Sequence, residues 1–261
     1  MNTIMYPLKR FPIAIFCTVT VLLSYASYLT PIPREALPFA FVLIPTIVAI
    51  ALVAATEGKA GVRALVGQLG RWRVGIRWVV GALGLALAMR LAVGVIAQIL
   101  GLIPAVQLLP ANPAQTLVLG VIFLVSALLE ELGWRGFALS RLLTRRSPLV
   151  AALALGIPWG IIHIVLHFPG MWSEGLPWLP TVVQLVALSV TITWLFVRSG
   201  HSLLVVILFH AAQSFFGFLN GGLTPLEVTW LMTVVWSVTA VAATVDMVST
   251  ALLRQRLSPA A

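Results

Sequence analysis

The chain has 261 residues, of which 61% are hydrophobic and only 9% charged, with a mean hydropathy of +1.07 and a formal charge of +9. Soluble domains carry about 25% charged residues, so the composition excludes a water-soluble globular protein and indicates an all-α polytopic membrane protein. The positive excess does not call for nucleic acid, because Lys and Arg collect in the cytoplasmic loops of membrane proteins and set their topology.

A bilayer core takes about 20 apolar residues per helix. On that ruler the chain divides into eight predicted spans, at 11–30, 38–56, 78–101, 114–140, 148–168, 180–197, 202–220 and 226–252. The first follows Lys9-Arg10 and is long for a signal-peptide core, with no clean cleavage site after it, so it reads as a retained span. Cys17 lies within it as a small hydrophobe. Pro31 and Pro33 close this span, Pro104, Pro110 and Pro113 separate the third from the fourth, and Gly221, Gly222 and Pro225 separate the last two. No linker or repeat interrupts the pattern, and 1–261 reads as a single transmembrane domain.

Alternating the eight spans puts Lys9, Arg10, Lys59, Arg63, Arg71, Arg73, Arg77, Arg141, Arg145, Arg146, Arg198, Arg254 and Arg256 on one side of the membrane. Only Arg34 is left in the opposite loops. The thirteen mark the cytoplasmic side and predict both termini there. The basic 57–77 segment, with Trp72, reads either as a topogenic loop or as an amphipathic helix on the anionic inner leaflet.

Charges inside the spans are the exceptions. Glu130-Glu131-Leu132-Gly133-Trp134-Arg135 lies within an apolar run, where each charge costs about 2.5–3.5 kcal/mol on insertion scales and marks function or a buried partner. Arg90 calls for a partner such as Asp246 or one of the two glutamates. His163, His167 and His210 also fall within spans. At 1.5 Å per residue, Glu130 lies about 16 Å from Arg141, His210 about 12 Å from Ser202 and His163 about 22 Å from Pro148. Those depths are compatible with one polar cavity shared by Glu130, His163 and His210.

Such a set suits hydrolysis. A buried carboxylate can take a proton from water, a histidine can handle the leaving group, and a second donor can hold the oxyanion. Arg135 stands at i+4 from Glu131, the favourable orientation for an ion pair, so Glu131 and Arg135 read as the orienting pair and Glu130 as the base. The alternative for Glu131 and Arg135 is a purely structural pair. His167 reads as an interhelical hydrogen-bonding group and His201 as interfacial.

The run E-E-L-G-W-R-G-F-A-L, Glu130 to Leu139, resembles the first signature of the CPBP (ABI) intramembrane proteases, which include the type II CAAX prenyl endopeptidases. Trp159-Gly160-Ile161-Ile162-His163 resembles the second motif, and Gly200-His201-Ser202-Leu203-Leu204 with Leu208-Phe209-His210-Ala211-Ala212 resembles the third. The likeness spans about 114–215. It implies a glutamate-dependent endopeptidase with Glu130 as general base, His163 as its partner and His210 as oxyanion donor. His167, followed by Phe168-Pro169, is the rival to His163. The family usually has Asn four residues after the third-motif histidine; here that position is Ser214, with Gln213 beside it.

Older descriptions call such proteins metalloproteases, and one Glu with two His can ligate zinc. There is no H-E-x-x-H, however, and the expectation is a glutamate-activated water with no metal and no cofactor. The expected substrate is a peptide or membrane protein, entering from the bilayer or from its cytoplasmic face. Two other classes use the same groups. One is a non-proteolytic immunity or scaffold protein of this fold, favoured by Ser214. The other is a proton-coupled transporter, for which no inverted repeat is visible. Oligomeric state is open, and the expected location is an integral membrane protein, in the inner or plasma membrane if bacterial.

Overall fold

A computed structural model describes residues 5–257, with side chains from Tyr6 to Ala251. The termini whose sidedness the charge pattern predicts, and the side chains of Arg254 and Arg256, lie outside the described residues. Among the described residues there is no strand. The helices are α1 (Met5–Arg10), α2 (Pro12–Tyr28), α3 (Leu37–Gly67), α4 (Ile76–Ile99), α5 (Pro113–Glu131), α6 (Ser140–Leu142), α7 (Pro148–His163), α8 (Trp178–Arg198), α9 (Leu203–Phe215) and α10 (Pro225–Leu257). Short 3₁₀ turns extend α7 to His167 and α9 to Asn220.

The molecule is a polytopic membrane protein. Among the described residues, seven helices are long and apolar enough to cross a membrane. The eighth expected span, α2, is apolar but has 17 residues, about 26 Å at 1.5 Å each, short of a core of about 30 Å.

Two elements differ from the sequence expectation. The second span does not stop near residue 56. Gly58 turns the chain at φ 69° and ψ −165°, and helix resumes to Gly67, so the first part of the 57–77 segment is helical. Leu65 is buried while Lys59 and Arg63 face outward. Only a residue without a Cβ adopts that backbone at low cost. The fourth span is not one continuous α-helix either. After Glu131 the chain enters a π-helical segment, Leu132–Leu139, before α6. Wider turns of this kind concentrate at functional sites.

The π segment is buried on every side. Phe16 of α2 packs edge-on against Trp134, with ring centroids 5.1 Å apart, and against Phe137 at 5.3 Å. Pro45 of α3 lies against Gly133, where an added Cβ would come within 2.6 Å of the Pro45 carbonyl group. The next residue, Thr46, donates its hydroxyl to the Leu129 carbonyl at the end of α5. A glycine at 133 is thus what lets α3 grip the segment that directly follows the acidic pair. Gly133→Ala is expected to cost about 1–3 kcal/mol, the range for overpacking. A shift in the unfolding midpoint in mixed micelles would measure it.

A second close approach fixes α7. A Cβ at Gly156 would sit 3.1 Å from Val186 Cα, and one at Gly160 would sit 3.3 Å from Val182 Cα. Small residues four apart let helix backbones approach in membranes, and they hold α7 along α8 in a fixed rotation. Trp159, between them in sequence, is thereby aimed at α5.

Candidate active site

The acidic pair ends α5, and its two members point into different surroundings. Glu130 is 8% exposed and borders a cavity of about 510 Å³. Glu131 is fully buried behind it. The same cavity is lined by His163, His210 and Ser214, together with apolar groups from α3, α5 and α7. Of the residues expected in the site, the structure therefore brings Glu130, His163, His210 and Ser214 to one wall. Glu131 and Arg135 lie in the layer beneath.

Glu131 Oε1 accepts from Arg135 Nη1 at 3.0 Å and from His210 Nδ1 at 2.7 Å. The pair expected from the sequence is thus a chain of three, Arg135–Glu131–His210. It fixes the imidazole of α9 relative to α5 and leaves His210 Nε2 as the other ring nitrogen. His163 Nδ1 donates to the Trp159 carbonyl at 2.7 Å. With the proton held there, Nε2 of a neutral ring is an acceptor.

Trp159 was quoted as part of a motif but not expected in the site, and it is the residue that joins the parts. Its indole N–H donates to Glu130 Oε2 at 3.0 Å. Its ring stands edge-on to His163 and to His210, with centroids 5.8 and 5.6 Å away. The Arg135 guanidinium lies 4.4 Å from its centroid, within cation–π range. The available signal was its place four residues before His163, one turn away on the same helix face.

His167 is not part of the cavity wall. Its two ring nitrogens are engaged by the Leu176 carbonyl at 3.0 Å and the Thr181 hydroxyl at 3.1 Å. His201 is exposed, stacked on Phe196. Gln213 faces away from the cavity, with its amide nitrogen 3.1 Å from Met89 Sδ.

Arg90 corrects an expectation. It meets neither Asp246 nor a glutamate. Instead it donates to the Gln213 carbonyl at 2.6 Å and to Asn220 Oδ1 at 3.2 Å, with Trp236 below its guanidinium. Asp246 pairs with Arg198, at 2.5 Å, and accepts from Trp194 Nε1. Carbonyl and amide oxygens meet the needs of the Arg90 donors, so α4 is pinned to the end of α9 without a counter-charge.

No group of three or more His, Cys, Asp and Glu side chains among the described residues is arranged to hold a metal ion. Chemically, the cavity offers a carboxylate, two imidazoles and a hydroxyl around a space of about 510 Å³.

Comparison with known proteins covers the same part of the chain. Residues 112–216 match the family model described as type II CAAX prenyl endopeptidase Rce1-like. Glu130, Glu131, Arg135, Trp159, His163, His210 and Ser214 fall inside that range, whereas the α3 side of the cavity, Pro38 to Val42, lies outside it. The chain is also similar to CAAX prenyl protease 2 of Methanococcus maripaludis, with 29% identity over 96 residues. That stretch covers 34% of this chain and 35% of the relative, so the likeness spans about a third of each protein.

Proposed function

We propose that this chain, which through residues 112–216 is similar to the Rce1-like type II CAAX prenyl endopeptidases, hydrolyses a peptide bond within the membrane using water activated by Glu130. One observation carries the reading. Glu130 borders the cavity with one oxygen fixed by Trp159, while Glu131, tied to Arg135 and His210, supplies no free oxygen to the wall that Glu130 shares with His163, His210 and Ser214.

The proposed sequence follows from the roles these atoms can take. Glu130 Oε1 accepts a proton from water, and the hydroxide formed attacks the carbonyl carbon of the scissile bond. As an imidazolium, His210 donates from Nδ1 to Glu131 and from Nε2 to the developing oxyanion, and the Ser214 hydroxyl adds a second donor. His163 Nε2 accepts a hydrogen bond from the water and then relays the proton taken by Glu130 to the amine nitrogen as the C–N bond breaks, which restores the Glu130 carboxylate. Because Glu131 and Arg135 act through His210 and Trp159, they are positioning residues. No metal or cofactor enters these steps.

Ser214 is the point at which a non-proteolytic reading of the same fold gains support, since a serine hydroxyl reaches less far than an asparagine amide. The two readings separate on purified protein with a fluorogenic peptide. If Ser214 donates to the oxyanion, Ser214→Ala lowers kcat by about 10²-fold, the effect of removing one such donor. Ser214→Asn retains activity. Equal rates for wild type and Ser214→Ala would remove the hydroxyl from the mechanism. Absence of cleavage by wild type, with cleavage restored in Ser214→Asn, would favour the non-proteolytic reading.

A further inference from the structure

The bundle has two unlike ends, and the cavity opens at only one of them. At the first end, α1, the Gly58 turn, α6 and the end of α8 come together. Lys9, Arg10, Arg141, Arg145 and Arg146 border one hollow there, and Glu57, Arg71, Arg141 and His201 border another. Arg141 bridges to Glu57 at 2.5 Å. At the second end, Tyr28 donates to the Pro169 carbonyl, and Arg34 donates to the Tyr28 carbonyl at 2.7 Å. The charged side chains of this end are Arg34, Glu35, Glu174 and Glu227, three acids against one base.

The catalytic cavity belongs to the second end. Along α5 its wall runs from Leu119 to Glu130, about 16 Å at 1.5 Å per residue. Pro38 at the start of α3 and Trp172 in the loop after α7 form its rim. Trp172 is 67% exposed and Phe39 is 48% exposed. Toward the basic end the cavity is closed. Glu131, Trp134, Arg135, Phe137 and Leu139 follow Glu130 and are at most 1% exposed. None of the residues around the two basic hollows borders the cavity.

Of the two entry routes expected from the sequence, from the bilayer or from its cytoplasmic face, the second is incompatible in this geometry with basic loops on the cytoplasmic side. The charge asymmetry is the stronger constraint, because topology follows the Lys and Arg of short loops near the span ends. We propose that the site faces the extracytoplasmic side and takes apolar peptide segments presented from that face or from the outer half of the bilayer. Phe39, Val42, Ile122, Phe123, Leu166 and Trp172 give the cavity an apolar wall, which suits large uncharged side chains beside the scissile bond. A soluble cytoplasmic protein does not reach it.

The substrate class rests on the peptidase reading above, but the test of sidedness does not need cleavage. With Cys17 replaced by Ala, single cysteines are introduced as Leu109→Cys in the exposed loop before α5, Ser214→Cys on the cavity wall and Thr144→Cys at the basic end. Intact cells are treated with a membrane-impermeant methanethiosulfonate. Leu109→Cys and Ser214→Cys are expected to react in intact cells, and Thr144→Cys only after permeabilisation. Reaction of Thr144→Cys in intact cells, or protection of Ser214→Cys until the cells are permeabilised, would overturn the proposal. A chain that labels as expected but cleaves nothing would count against the peptidase reading alone.

Discussion

Replacement of Glu130 by Gln is expected to abolish peptide cleavage while leaving the protein folded. Glutamine has the same shape, and its carbonyl oxygen can accept the hydrogen bond that Trp159 Nε1 now gives to Glu130 Oε2. The layer beneath is untouched, because Arg135 and His210 both bind Glu131. What is lost is the basic oxygen facing the cavity. General-base catalysis contributes about 10²–10⁴-fold, so a drop of about 10³-fold in kcat with little change in KM is the expected reading. Glu130→Asp shortens the side chain by one methylene and should fall between, since it keeps the base but misplaces it. Cleavage by Glu130→Gln at the wild-type rate would move the chemistry to another group.

The second large effect concerns stability. Glu131→Leu leaves Arg135, 1% exposed, with no carboxylate bonded to it. Removing one partner of a buried ion pair costs about 3–5 kcal/mol, because the remaining charge is uncompensated. His210 loses its anchor in the same step, so activity should fall as well. In the double variant Glu131→Leu with Arg135→Met the stranded charge is gone. Arg135 Nε and Glu131 Oε2 are already without hydrogen-bond partners among the protein atoms, so the native pair is incompletely satisfied. An apolar replacement should then recover more than half of the loss, about 2–3 kcal/mol. Unfolding in mixed micelles measures both variants. A single variant as stable as wild type would mean that Arg135 finds its stabilisation elsewhere, for instance on the Trp159 ring.

Much of this was legible in the sequence because a bilayer imposes a simple length rule. Apart from α1 and α6, the helices begin within a few residues of the spans read from hydropathy, and the proline and glycine breaks quoted for the loops fall at or between their ends. The motif spacing also carried the polar groups: Glu130, His163, His210 and Ser214 do share a cavity. What escaped has physical reasons. The π segment 132–139 is buried on every face, so no contrast between a core side and an outer side marks the change of helical register. The continuation of α3 past Gly58 stayed one of two readings, because the basic residues that follow suit a topogenic loop as well as an amphipathic helix. Arg90 seemed to need an anion, yet a guanidinium can be met by carbonyl and amide oxygens when helix ends supply them. Trp159 entered only as part of a motif, with no role assigned to it. Only the packing of Gly156 and Gly160 on α8 shows why its N–H points at Glu130. The direction of the mouth depends on which half of each helix lines the cavity, and hydropathy does not report that.

The central claim, that Glu130 activates water and does not attack the peptide itself, is tested most directly by a single turnover in ¹⁸O-water, read by mass spectrometry of both product and enzyme. A base delivers solvent oxygen straight to the substrate. The new C-terminal carboxylate of the first-turnover product should carry one ¹⁸O, and the peptide containing Glu130 should carry none. An unlabelled first-turnover product together with ¹⁸O in the Glu130 carboxylate would contradict the account and make Glu130 a nucleophile.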